Sequence, residues 1–153
     1  MTTAEPLPPD ADGGEVHCLV VFVPVGAAEA VLRALGDAGA GRFGNYSHAA
    51  FLTPGTGRFT PLPGAHPTVG TVGEPQEVEE VRIEVLYRAP DRERVLRAMA
   101  AAHPYEVPAF HTFPVHDRGP SFDEQGRLRR TDQPSRPRHA HRRHGTDPER
   151  TPA

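Results

Sequence analysis

The stretch LVVFVPVGAAEAVLRALGDAGA, residues 19–40, decides the fold. Leu19 to Val23 is an unbroken run of branched and aromatic apolar side chains closed by Pro24, the pattern of a central strand covered on both faces. Beyond it Ala28, Val31, Leu32, Leu35 and Ala38 return at the spacing of one helix face, and Gly39 is placed to cap the end. A strand that leads at once into an amphipathic helix is therefore expected.

Downstream, the composition turns toward strand again from Tyr46 to Leu52, and Pro54-Gly55-Thr56-Gly57 supplies a bend before Arg58 to Thr60 resumes. A Gly- and Pro-rich connection follows from Pro61 to Pro75. Val81, Ile83, Val85 and Tyr87 alternate with Arg82, Glu84 and Arg88, which is the period of two of a third strand. Pro90 and Asp91 open a second helix with Val95, Leu96, Met99 and Ala102 on its apolar face, and His103-Pro104 stops it. The last strand is expected from about Val107 to Val115, with Pro108 and Pro114 marking it as an edge, where a missing amide donor is tolerated. This order predicts an α+β, ferredoxin-like βαββαβ sandwich with the first and third strands central. Its two helices cover one face of the sheet, whereas the first strand is apolar on both sides. A partner subunit is the simplest cover for the other face.

The chain has 153 residues, room for one ordinary domain, expected at residues 16–115. Residues 1–15 are rich in Pro, Asp and Gly and read as a disordered arm. Residues 116–153 lack periodicity, hold only Phe122 and Leu128 as large apolar residues, and read as a disordered Pro/Arg/His-rich tail. The net charge of -3 conceals an asymmetry: the tail carries nine Arg against six acids, the remainder eight Arg against fourteen. A folded body of that sign argues against nucleic acid as a partner. All seventeen basic residues are Arg, as a GC-rich coding sequence produces unaided, so Arg richness is no sign of phosphate recognition. Cys18 is the single cysteine and suggests a reducing compartment. No signal peptide is visible at the N-terminus, and the longest apolar run, Cys18 to Val23, is too short to span a membrane. A cytoplasmic protein is expected, with no membrane partner.

Gly39-Ala-Gly41-Arg-Phe-Gly44 matches the dinucleotide pattern G-x-G-x-x-G letter for letter, but these glycines close a helix instead of opening one. They read as a cap and tight turn. Glycines 55, 57, 64, 70 and 73 could bring backbone amides to an anion, although no Lys accompanies them. His48, His103 and Glu106 are the candidate ligands for zinc or copper, since imidazole and carboxylate suit first-row ions. His17 and Cys18 point to opposite faces of a strand and cannot share an ion. The tail brings His139, His141 and His144 together, but neighbouring Arg residues repel cations. No Ser/His/Asp or Cys/His arrangement stands out, so no enzyme is expected.

Three ordered motifs remain: GNYSH at 44–48, GTGRFTPLPGAHPTVG at 55–70 and HPYE at 103–106. Together they resemble the CutA/PII-like insert domain of NGG1-interacting-factor-type (YqfO-like) dinuclear-metal proteins, here in free-standing form, over roughly residues 16–115. Tyr105-Glu106-Val107-Pro108 is also similar to the H-x-Y-E-x-P pattern of CutA-type proteins. Val107 stands where the insert motif often carries a second acid, which puts a two-carboxylate site in doubt. The resemblance implies a ferredoxin-like homotrimer, a non-catalytic binding or regulatory module taking a divalent ion or small anion at subunit interfaces. Asn45, Tyr46, Gly55, Gly57 and Tyr105 are the motif positions it implies for ligand binding. The other function it implies is a detached lid or partner of a separate dinuclear-metal protein. No cofactor beyond a possible zinc or copper ion is expected.

Overall fold

The first strand, β1 (Val16–Pro24), is buried along nearly its whole length, as an unbroken apolar run requires. The computed structural model describes residues 14–116 together with Gln125 and Arg127; the expected arm and tail, including the tail histidines, otherwise lie outside the described residues. After a 3₁₀ turn over Val25–Ala27 the chain forms α1 (Ala28–Asp37), followed by β2 (Phe51–Phe59), β3 (Gln76–Arg88), a 3₁₀ turn over Ala89–Asp91, α2 (Arg92–Ala102) and β4 (Phe110–Val115). The sheet is antiparallel in the order β2-β3-β1-β4, with the first and third strands central as the predicted βαββαβ order requires. This is the ferredoxin-like α+β fold.

Both helices pack on one face, where Leu19, Val21 and Val23 meet Ile83 and Val85, Val31 and Leu35 of α1, and Val95 and Met99 of α2. The end of α1 shows why the glycine triplet is a cap. Gly39 adopts φ 94°, the Gly39 N–H donates to the Gly36 carbonyl at 2.9 Å, and the Ala40 N–H reaches back to Leu35 at 3.0 Å, the two bonds of a Schellman motif. Arg94 Nε of α2 donates to the Ala38 carbonyl at 2.9 Å while its Nη2 donates to Asp91 at 2.9 Å, so one guanidinium joins the end of α1 to the start of α2. At the other end of α2, His103 is extended (φ -77°, ψ 133°), the conformation its following proline imposes.

Two sequence expectations give way. Pro54-Gly55-Thr56-Gly57 makes no bend: β2 runs straight through it, paired from Phe51↔Glu84 to Phe59↔Gln76, and β2 is an edge strand that tolerates the proline. Tyr46 to Ala50 are not strand; Phe43 and Tyr46 exchange two backbone hydrogen bonds of 2.9 Å around a tight turn. On the face away from the helices, Val20 and Cys18 are almost fully buried within the single chain. In register Val20 lies between Glu84 and His111, Cys18 between Leu86 and Phe113, and these neighbours shield them.

Candidate functional site

At the end of the sheet where β1 finishes and β3 begins, a cleft of about 710 Å³ opens between the end of β2, the 60–75 connection and the HPYE segment. Its apolar walls include Phe22, Phe59, Leu62, Val69 and Val107, and its polar groups include Glu80, Tyr105 and Glu106.

The 60–75 connection is tied down at several points. The Gly73 N–H donates to the Pro61 carbonyl at 2.7 Å and closes its neck. The His66 N–H donates to Glu106 Oε1 at 2.9 Å, and the Thr68 hydroxyl donates to the Pro104 carbonyl at 2.8 Å, which fastens the loop to HPYE. The GTGRFT…HPT and HPYE motifs thus share one hydrogen-bonded unit that walls the cleft.

His103 anchors that unit. Its Nδ1 accepts from the Tyr105 N–H at 3.1 Å, so Nε2 carries the ring proton and donates to the Phe22 carbonyl at 2.8 Å. Tyr105 packs edge-on against Phe59, with ring centroids 6.0 Å apart, and its hydroxyl is buried with no hydrogen-bond partner. Glu80, only 8 % exposed, lies beside that hydroxyl, close enough for its carboxylate to act on it. Burial first, and then the Glu80 carboxylate, pushes the Tyr105 phenol above its ordinary range. A Cβ on Gly57 would come within 2.3 Å of the Glu80 carboxyl carbon, so the bare backbone of β2 at Gly57 is what leaves room for that carboxylate.

The candidate metal ligands are not gathered. His48 belongs to the α1–β2 connection, where Nδ1 is 3.0 Å from the Ser47 hydroxyl and Nε2 is 3.1 Å from Asp37 Oδ1. It has φ 57°, and its ring rests on Gly36, where a Cβ would come within 1.9 Å. Both imidazoles therefore have both ring nitrogens engaged. Among the described residues no group of three or more His, Cys, Asp or Glu is placed to hold an ion. Of the positions implied for ligand binding, Gly57 and Tyr105 line the cleft; Asn45, Tyr46 and Gly55 do not. Glu80 and Phe59 were not singled out from the sequence. The alternation on β3 was the available signal for Glu80, but it assigns a face, not burial.

No family model matches the chain. It is 44% identical over 110 residues to the GTP cyclohydrolase 1 type 2 homolog of Bacillus subtilis, a match that covers 72% of this chain and 29% of that protein. Among solved structures, the Bacillus cereus protein related to NIF3 superposes with a TM-score of 0.60 at 46% identity, over 72% of this chain and 28% of that one. The periplasmic divalent cation tolerance protein CutA of Archaeoglobus fulgidus has the same fold, with a TM-score of 0.50 at 16% identity over 67% of this chain and 86% of that one. By sequence the chain is a relative of one segment of the NIF3-type proteins, and by fold that segment is CutA/PII-like. The chain spans less than a third of the length of these NIF3-type relatives. Among the described residues no helix is long and apolar enough to cross a membrane.

Proposed function

We propose that the chain is a non-catalytic binding module that assembles with copies of itself and holds a small ligand in the cleft beside HPYE. The cleft is the observation that carries this reading: about 710 Å³, mostly apolar, with a few convergent polar groups, which is the general character of small-molecule sites. Among the described residues the lining offers carboxylates and a phenol with neither Cys nor His, which favours binding over covalent or imidazole-based catalysis. Self-assembly is supported by the sheet face away from the helices. There Phe22, His111 and Phe113 form a row with successive ring centroids 6.2 Å apart, and Phe51, 70 % exposed, flanks the Arg82–Glu84 ion pair.

Zinc or copper enters this reading as an ion shared between copies, because the ligands of one chain do not converge. A second reading, a partner of a separate dinuclear-metal protein, is favoured by coverage: in the relatives this segment is 29% or less of a longer chain. Native mass spectrometry of protein purified without an affinity tag tests these readings together. A multiple of the chain mass with a retained small molecule is expected; a bare monomer overturns the module as proposed.

A further inference from the structure

The charge of the cleft narrows the class of ligand. Of the β3 acids other than Glu80, Glu77 pairs across strands with Arg58 at 3.2 Å and Glu84 pairs along β3 with Arg82 at 2.9 Å. Glu80 does not: it is more buried than either, and among the described residues no ion pair neutralises it. Its cross-strand neighbours are Gly55 and Pro24, which carry no side chain able to reach over and pair with it. Arg58, the one cation among the described lining residues, is committed to Glu77. The second carboxylate of the lining, Glu106, has one oxygen taken by the His66 amide and leaves further acceptor capacity. An anion entering here would meet two carboxylates and, among the described residues, no cation outside the Arg58–Glu77 pair.

We propose that the cleft binds an organic cation, its ammonium or amidinium group on the Glu80 carboxylate and its apolar body against Phe59, Leu62 and Val107; this rests on reading the cleft as a binding site. This differs in sign from the small anion that the family resemblance implies. A buried carboxylate without a counter-ion, as Glu80 is among the described residues, is costly to a folded chain, and a cationic ligand supplies that counter-charge. The Tyr105 hydroxyl, buried beside Glu80, has an oxygen lone pair to offer to a second N–H of the same group. Phe59 and Tyr105 present aromatic surface next to it, which suits a cation with an apolar or aromatic body.

Tryptamine and indole-3-acetate share one ring system and differ in the sign of their charge, so calorimetry of the full chain with each is the test. Tryptamine binding with indole-3-acetate silent is expected. Glu80→Gln should weaken tryptamine by about tenfold or more, the scale of a lost charge-assisted hydrogen bond, with no fall in thermal midpoint. Tyr105→Phe, which keeps the carboxylate, should weaken it less. Should Glu80→Gln fold poorly, amide shifts of wild-type protein titrated with tryptamine still locate the site; shifts that spare Gly57 and Tyr105 overturn it. Equal binding of both compounds overturns the cation but leaves the binding module standing. Binding of neither overturns the cation as well, and the module falls with it only if native mass spectrometry also finds no retained molecule.

Discussion

Tyr105 and Cys18 each hold a proton that the unfolded chain gives up more readily. Burial, then Glu80, raises the Tyr105 phenol above its ordinary 10.0; burial, then Glu84, raises the Cys18 thiol above its ordinary 9.0, with Arg82 opposing. In the window between ordinary and raised values the unfolded state binds fewer protons than the folded one, so stability falls as pH rises. Stability is therefore fully present below about pH 9 and should decline above it, first through the thiol and then, beyond about pH 10, through the phenol. Urea midpoints measured from about pH 8 to about pH 11 should show this decline. Cys18→Ala should remove its earlier part and Tyr105→Phe its later part. An unchanged slope in Tyr105→Phe would mean that the phenol is not held in the cleft as described.

Elements connect through histidine at two junctions where metal chemistry was expected. His48 fastens the turn after α1 onto Asp37, and His103 fastens the end of α2 to β1 through the Phe22 carbonyl. His103→Ala loses that bond and the one from the Tyr105 N–H, and should cost about 1–3 kcal/mol of stability. Denaturation with and without added zinc should give the same loss; a loss seen only with zinc would show that His103 is a ligand. The strand and helix of residues 16–37 were legible in the sequence because each carries its own periodicity. β2 was not: Pro54-Gly55-Thr56-Gly57 reads locally as a bend, and only nine consecutive pairs with β3 hold it extended. The cleft was half legible for the same reason. Gly57 and Tyr105 stand in recognisable motifs, whereas Glu80 is one acid among several on β3, and its burial depends on a glycine in the neighbouring strand.

For the molecule as a whole, the proposed self-assembly rests on the sheet face away from the helices. Val20 is 0 % exposed within one chain, so Val20→Asp buries an unpaired charge and should unfold the protein instead of merely dissociating it. Phe51 and Phe113 are on the same face by register but are 70 % and 43 % exposed, so removing them takes little from the core of a single chain. Phe113 continues the aromatic row of Phe22 and His111, and Phe51 stands across the Arg82–Glu84 pair from that row, exposed side chains of the kind that a closed assembly of identical chains covers. Wild-type protein should therefore scatter light as an oligomer at micromolar concentration. The double variant Phe51→Asp, Phe113→Asp should scatter as a monomer with its far-ultraviolet circular dichroism unchanged, because two facing copies would bring like charges together at the contact. A wild-type protein of monomer mass removes self-assembly from the proposed function. A double variant that stays oligomeric places the contact elsewhere, at the cleft edge or along the free side of β2.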